Sequence, residues 1–340
     1  MFSVLLTGGT GYIGSHTCVE LINAGFSPVL FDSLWNSSPV VVDRIAAITG
    51  RRPSFIKGDV RDRPLLDRIF AEHRVDAVLH FAGLKAVGDS VTHPLSYYSS
   101  NVAGSITLFE AMQAHGVHRL VFSSSATVYG MATEMPLTEC SPTAPVNPYG
   151  HTKLMVEQVL QDLTRANPHW RVMCLRYFNP VGAHESGMIG EAPRDTPNNV
   201  MPYIAQVAVG RLPRLRIFGN DYPTPDGTGV RDYIHVTDLA TGHVAALQRL
   251  MAEAPAEHTV VNLGTGQGHS VLELVYAFMR ASGRTIPYEF VERRAGDVAT
   301  SYADATLAAE CLGWTALRDL DRMCADAWRW QSANPNGFSS

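Results

Sequence analysis

The chain predicts an α/β fold, a doubly wound parallel sheet followed by a smaller mixed α/β substrate lobe. Three features carry that expectation: short apolar runs alternate with helical periodicity, polar residues end most of those runs, and the texture changes after residue 178. Val4-Leu5-Leu6 opens as a strand, glycines follow, and a helix is expected over about 12–24 with Gly25 as its left-handed C-terminal residue. Val29-Leu30-Phe31 is the next strand, ending on Asp32, and Phe55-Ile56 precedes Gly58-Asp59. The run 77–82 reads as a fully buried strand. Leu120-Val121-Phe122 ends in Ser123-Ser124-Ser125, and 172–175 runs into Arg176-Tyr177-Phe178-Asn179. Helical patterns fill the gaps, notably over about 98–115 and 149–165. Strands separated by helices on this rhythm imply right-handed crossovers, with ligands gathering beyond the carboxyl ends of the strands.

From about 179 to 228, loops rich in Gly, Pro and Asn are interrupted by Val200-Met201-Pro202-Tyr203-Ile204 and Leu215-Arg216-Ile217-Phe218. Such apolar runs exclude a linker. The expected division is 1–178 for a dinucleotide-binding part and 179–340 for a substrate part, with stretches near 230–264 packing back onto the first sheet. The tail 332–340 reads as frayed.

Of 340 residues, 46% are hydrophobic and 17% charged, enough apolar content for a large core and too much for disorder. The net charge of -5 gives no basic footprint for nucleic acid. No apolar run is long enough to span a bilayer, and the N-terminus meets glycines too early for a secretory signal. Five scattered cysteines without a C-x-x-C pair point to neither zinc nor a disulfide framework. The histidines lack ligand spacing, so no metal is expected. A reduced, cytoplasmic protein is the expectation.

Gly8-Gly9-Thr10-Gly11-Tyr12-Ile13-Gly14 places glycines at i, i+3 and i+6 between a strand and a helix. The first permits a tight turn, the second lets backbone N–H groups approach a pyrophosphate, and the third lets helix and sheet pack closely. An ordinary tight turn would carry the same glycines. Asp32, at the end of the next strand, decides for a dinucleotide, because an acid there accepts from the adenosine ribose and repels a 2′-phosphate, favouring NAD. Asp59 suits the adenine edge or a turn cap equally.

Tyr149-Gly150-His151-Thr152-Lys153 puts a phenol and an ammonium at i and i+4 on one helix face, beside the strand ending in Ser125. A phenol has an ordinary pKa near 10 and a general base near 7 is wanted, so the site must supply roughly 4 kcal/mol. A nearby Lys153 ammonium and a positively charged nicotinamide ring act in that direction.

Together these residues resemble the extended short-chain dehydrogenase/reductase superfamily with its Rossmann sheet. Phe81-Ala82-Gly83-Leu84-Lys85-Ala86-Val87-Gly88, Ser123-Ser124-Ser125-Ala126-Thr127-Val128-Tyr129-Gly130 and Arg176-Tyr177-Phe178-Asn179-Pro180-Val181-Gly182-Ala183-His184 are similar to the UDP-glucose 4-epimerase family. So are Pro197-Asn198-Asn199-Val200-Met201-Pro202-Tyr203 and Gly227-Thr228-Gly229-Val230-Arg231-Asp232-Tyr233-Ile234-His235. The resemblance runs from Val4 to about Trp330.

It implies a tightly held NAD and a UDP-sugar inverted at C4 through a 4-keto sugar that takes its hydride back on the other face. Tyr149 would remove the 4-hydroxyl proton, Lys153 would bind the nicotinamide ribose, and Ser125 would hydrogen-bond the 4-oxygen. Cofactor contacts are implied for Gly8, Gly11, Tyr12, Ile13, Gly14, Asp32, Asn36, Ser37, Asp59 and Val60. Phe81, Ala82, Gly83, Lys85, Ser100, Ser123, Tyr149, Lys153, Tyr177 and Phe178 complete that set. Substrate contacts are implied for Lys85, Ser125, Tyr149, Asn179, Asn199, Val200, Arg216, Ile217, Phe218, Arg231, Arg294, Asp297 and Ser301. Arg231 and Arg294 would grip the diphosphate, and Asp297 either contacts the ribose or partners Arg294. His235 reads as a core histidine. Helices over 98–115 and 149–165 would form a homodimer contact.

Two departures from the family matter. Ser100 stands where some relatives carry a cofactor-touching asparagine, for which Asn101 is the substitute. Ser301 occupies a gatekeeper position that is tyrosine in relatives restricted to UDP-glucose and UDP-galactose, so room for a 2-acetamido group is expected unless neighbours fill it. Among alternatives, a 4,6-dehydratase wants an acid pair where Ala126-Thr127 stand. A uronic-acid epimerase and a non-catalytic NAD-sensing protein remain as rivals, the latter at odds with the intact Tyr149, Lys153 and Ser125.

Overall fold

The computed structural model describes residues 2–193, 197, 199–252, 257–294 and 296–338. Six strands come before residue 178: β1 (Ser3–Thr7), β2 (Ser27–Asp32), β3 (Ser54–Lys57), β4 (Ala77–His80), β5 (Arg119–Ser125) and β6 (Arg171–Tyr177). Seven follow: β7 (Asn179–Val181), β8 (Leu215–Phe218), β9 (Val230–His235), β10 (Glu257–Leu263), β11 (Gly268–Ser270), β12 (Tyr288–Val291) and β13 (Thr300–Ser301). The first six and β10 form one parallel sheet in the order β10-β6-β5-β4-β1-β2-β3. The order reverses beside β1, the switch point at which a doubly wound sheet opens a crevice.

These strands are apolar on both faces because helices cover both. Val4, Leu6, Leu30, Val121, Met173 and Leu175 point to one face and pack with the helices Tyr12–Asn23, Val40–Thr49 and Val236–Met251. The alternate residues Leu5, Val29, Phe31, Val78, Leu120, Phe122 and Val172 point to the other, beneath Arg63–His73, Gly104–Ala114 and Pro148–Ala166. Asn147 caps the last of these by accepting from Gly150 N at 2.9 Å, and Pro148 occupies its first turn.

After Val181 the chain builds a second core. Val181, Met201, Ile204, Leu215, Ile217, Tyr233, Leu274, Phe278 and Met323 pack together. There β9 pairs with β7 and β13 in parallel and with β11 antiparallel, while β8 pairs with β12. The chain then re-enters the first sheet through the helix Val236–Met251 and β10, which runs in register with β6 from Glu257↔Arg171 to Leu263↔Tyr177.

Two sequence expectations need correction. The 98–115 helix is not uniform: Pro94–Tyr97 is followed by a π-helical turn, Tyr98–Ala103, before Gly104–Ala114. Nor is the tail frayed as far as Phe338, while 339–340 lie outside the described residues. The helix Leu320–Ala333 runs into Asn334, whose Oδ1 accepts from Arg44 at 2.6 Å, and Phe338 lies 4.8 Å from Trp330, ring to ring. Among the described residues no helix is long and apolar enough to cross a membrane.

Candidate active site

The glycine loop is closed to side chains. Gly8 sits at φ +71°, and a Cβ there would meet the Ala82 nitrogen at 2.8 Å. One on Gly14 would come within 2.4 Å of the Gly8 carbonyl, so the loop stays open only as glycine. Gly11 is the N-cap of the helix Tyr12–Asn23 and supplies no side-chain cap, which leaves the first N–H groups aimed outward with the positive end of the dipole. Those donors, over a bare backbone floor, match the chemistry of a pyrophosphate. Ile13 packs against the core, and the Tyr12 hydroxyl donates to the Gly182 carbonyl at 2.7 Å, tying the loop to the second half of the chain.

Asp32 ends β2 almost buried, and its carboxylate organises the neighbouring loop. Oδ2 accepts from Thr10 N at 3.1 Å, while Oδ1 accepts from Leu34 N at 2.8 Å and Ser37 Oγ at 3.0 Å. Ser37 also accepts from Thr10 Oγ1, and Asn36 lies within the same loop. At Asp59 the Arg61 guanidinium meets both oxygens, at 2.9 and 2.6 Å, and Arg61 N closes the turn, while the side chain stays open to solvent. Arg61 also holds its carboxyl below the usual range. The Val60 side chain is core, packed towards Gly104.

Beyond β4, the Phe81 ring lies 4.8 Å from His243, tilted against it, Ala82 N reaches Thr7 Oγ1 at 3.3 Å, and Gly83 faces Asn101. The Asn101 amide accepts from Leu84 N at 2.8 Å and donates to Leu84 O and Thr152 Oγ1, both at 3.0 Å. It therefore anchors the 83–85 loop to the Tyr149 helix, and its NH2 group is fully used, so it does not stand in for a cofactor donor at Ser100. Both residues lie in the π-helical turn, a feature frequent at functional sites.

Tyr149, Lys153 and Ser125 come together where the helix Pro148–Ala166 crosses the end of β5. Lys153 is 6% exposed, and its Nζ donates to the Ser123 carbonyl at 2.7 Å. Burial lowers this ammonium to about 8 while the Glu157 carboxylate opposes the shift. Burial pushes the Tyr149 phenol up to about 12 against a hydrogen bond with Ser125. Burial thus outweighs the help expected from Lys153, whose Nζ lies 5.8 Å from the Tyr149 ring centroid. Ser125 Oγ also accepts from Thr127 N at 3.2 Å and Thr127 Oγ1 at 3.0 Å. Tyr177 and Ser123 share a short hydroxyl–hydroxyl hydrogen bond, and Phe178 packs with Val128, Tyr129, Leu137 and Ala303.

Further along, Arg216, Phe218 and Arg294 line one open cleft of about 870 Å³. The Arg294 guanidinium lies 4.4 Å over the Phe218 ring and Arg216 5.8 Å from it, an aromatic floor between two cations. Ile217 alternates into the core at 2% exposure, so only its backbone is available to that cleft. Gly296 turns against Val146, just ahead of the Tyr149 helix. Asp297 joins Arg294 through a backbone bond of 3.2 Å, and among the described residues no ion pair links their side chains. Arg231 and Ser301 face each other in parallel register across β9 and β13. Asn179 is exposed at the start of β7, and Asn199 with Val200 opens the helix Val200–Ala208. Asn198, from the motif beside them, lies outside the described residues.

His235 is fully buried, as expected of a core histidine: its Nδ1 accepts from Thr237 N at 3.0 Å and its Nε2 lies 3.3 Å from the Asp326 carboxylate.

One residue went unnoticed in the sequence. Glu191 Oε1 accepts from Lys85 Nζ at 2.8 Å and from Asn199 Nδ2 at 3.0 Å, joining two expected ligand contacts through one half-sequestered carboxylate. Its main-chain carbonyl accepts from Trp330 Nε1 at 3.3 Å. A lone acid in a loop, 106 residues from Lys85, carries no periodic signal.

Residues 4–264 match the family described as the NAD dependent epimerase/dehydratase family. The chain is 60% identical to a UDP-glucose 4-epimerase of Yersinia pestis, over 98% of this chain and 99% of that one. Its fold matches a Stenotrophomonas maltophila UDP-glucose-4-epimerase with bound NAD and formylated UDP-arabinopyranose, at TM-score 0.96 and 56% identity, covering 98% and 99% of the two chains. A Bifidobacterium longum UDP-glucose 4-epimerase in complex with NAD+ and UDP gives TM-score 0.96 at 51% identity, over 99% and 100%.

Proposed function

The chain belongs to the NAD dependent epimerase/dehydratase family, and on that premise we infer that it is an NAD-dependent UDP-glucose 4-epimerase, an isomerase that inverts the sugar at C4. The observation that carries the reading is the convergence of Tyr149, Lys153 and Ser125 at the strand ends, in a chain that matches curated 4-epimerases from end to end.

The residues fit NAD. The bare Gly8–Gly14 floor and the uncapped helix would hold the pyrophosphate, and Asp32 the adenosine ribose. Lys153 would meet the nicotinamide ribose, beside Ser123, Tyr177 and the loop from Phe81 to Lys85. When bound, NAD supplies a hydride acceptor that returns what it takes, and a positive ring that favours the Tyr149 phenolate.

Tyr149 then accepts the proton of the sugar 4-hydroxyl and returns it once the face has changed. A base made from a phenol shifted upward by burial needs positive charge close by, and the buried Lys153 ammonium provides it from within the chain. Ser125, held by Thr127, donates to the 4-oxygen. Arg231 and Arg294 take the diphosphate, Arg216 and Phe218 flank the uridine, and Asn179, Asn199 and Asp297 complete the grip. Binding energy concentrated on UDP leaves the sugar free to turn over.

We assign 1–178 to the cofactor and 179–340 to the sugar nucleotide, apart from the returning stretch Val236–Leu263. A cytoplasmic homodimer through the helices Gly104–Ala114 and Pro148–Ala166 also fits, since Ile106 and Met155 stand 39% and 45% exposed there. A monomer in sedimentation at micromolar concentration would remove the dimer.

Ser301 supports a second substrate pair, UDP-N-acetylglucosamine and UDP-N-acetylgalactosamine. The deciding experiment compares UDP-galactose with UDP-N-acetylgalactosamine on purified protein without added NAD. Turnover of both supports an epimerase with retained cofactor and a roomy pocket; turnover of UDP-galactose alone removes the second pair. Silence on both, repeated with NAD supplied, removes the assignment.

A further inference from the structure

Tyr149, Lys153 and Glu157 repeat at four-residue spacing along one buried face of the helix Pro148–Ala166, and Glu157 is 4% exposed. Its Oε1 accepts from Ser124 Oγ and, at 3.0 Å, from Arg176 Nε; its Oε2 accepts from Arg176 Nη2 at 2.6 Å. Arg176 extends the chain through Nη1, which donates to the Tyr129 hydroxyl at 3.2 Å, and that hydroxyl donates to Asn262 Oδ1 at 2.6 Å. One carboxylate therefore joins the helix to the ends of β5 and β6, with Tyr129 carrying the link on to β10.

The position of the clamp is what gives it meaning. Ser124 sits between Ser123, whose carbonyl receives Lys153, and Ser125. Breaking the Glu157–Ser124–Arg176 bonds frees the helix to shift against the strand end. That shift changes the spacing between the Tyr149–Lys153 face and the Ser125 hydroxyl.

We propose that Glu157, paired with Arg176 and Ser124, is a positioning residue that sets the distance between Tyr149–Lys153 and Ser125 for proton transfer. The inference rests on the assignment of those three residues to the reaction. Burial alone does not explain the arrangement, because a well-packed apolar set of similar volume is often as stable as a buried ion pair. A fully bonded polar network instead selects one geometry.

The test uses the holoenzyme with UDP-galactose. In Glu157→Gln the side chain keeps its shape and loses its charge, so kcat falls about tenfold or more, as expected when reacting groups are misplaced. KM stays within about twofold, because UDP is gripped elsewhere. Ser124→Ala removes one bond without touching charge and shows the same split at smaller size, and it decides the matter if Glu157→Gln does not fold. A kcat within about twofold of the parent in both variants, with only the melting temperature lowered, overturns the proposal. Tyr149→Phe run in parallel separates the two failures: if it too retains full kcat, the underlying assignment of Tyr149 falls instead.

Discussion

Ser301 lies opposite Arg231 in parallel register, so the short strand β13 delivers one small side chain beside a cation expected to hold diphosphate. Both are half-buried, and Ser301 leaves volume where a larger residue would not. Ser301→Tyr should therefore cost the N-acetylated substrates selectively. Overpacking of about 1–3 kcal/mol lowers kcat/KM for UDP-N-acetylgalactosamine by roughly one to two orders of magnitude. UDP-galactose should change little. Equal losses on both substrates would show that Ser301 does not discriminate between them.

Removing the Tyr149 hydroxyl should abolish chemistry while leaving binding intact. General base catalysis is worth about 10²–10⁴-fold, so Tyr149→Phe should lose kcat on that scale. UDP affinity measured by calorimetry should stay unchanged, since the Arg216, Phe218 and Arg294 cleft is built on other strands.

Lys153 should cost stability for the sake of activity. Its ammonium is lowered by burial to about 8 from an ordinary value of 10.5. Below pH 8 the folded protein holds a buried charge that the unfolded chain keeps in water, and the penalty is fully present. Between pH 8 and 10.5 the unfolded state binds more protons, so stability rises with pH and the penalty disappears. Lys153→Met should thus be more stable than the parent at pH 7 by about 3 kcal/mol, equal to it near pH 10.5, and inactive. Urea melts of both proteins at the two pH values test this; a less stable variant at pH 7 would contradict it.

The Arg294–Phe218 stack predicts a split between the two ligands. A charge-assisted contact to phosphate is worth about 1.5–3 kcal/mol, so Arg294→Ala should weaken UDP binding by roughly 10- to 150-fold. NAD retention, read from the absorbance of the purified protein, should not change. Loss of both together would argue for misfolding.

Glu191 holds Lys85 and Asn199 with a negative charge close to where a diphosphate sugar is expected. Glu191→Gln keeps an acceptor and removes the repulsion, and should tighten UDP binding by a few-fold at low salt, with the gain fading as salt rises. Unchanged affinity would place Glu191 away from the diphosphate.

What was legible in the sequence was local or periodic. The glycine spacing, the Asp32 strand end and the Tyr149/Lys153 pair lie within single strand–loop–helix units, and continuous apolar runs such as Val4-Leu5-Leu6 are what a sheet covered on both faces requires. What was not legible depends on distant partners. Glu157 looks like any helix acid until Arg176 and Ser124 close on it, and Asn101 looks like a cofactor donor until Leu84 and Thr152 consume its amide. The 332–340 tail is polar in composition, yet Phe338 finds Trp330 and Arg44. Ile217 can meet the cleft only through its backbone, for a simpler reason: within β8 it alternates with Arg216 and Phe218, so the strand's period of two sends its side chain inward.

The return of the chain to its first sheet also constrains the order in which this protein is made. Strand β6 is synthesised with only its β5 edge satisfied, and its other edge waits for β10, more than eighty residues later. While the ribosome builds the intervening segment, the nascent chain carries an open, apolar strand edge of the kind that recruits foreign strands. The segment from β7 to the helix Val236–Met251 must therefore be tolerated as a long insertion by a half-closed sheet. A fragment ending before residue 257 should need chaperone protection that the finished chain does not.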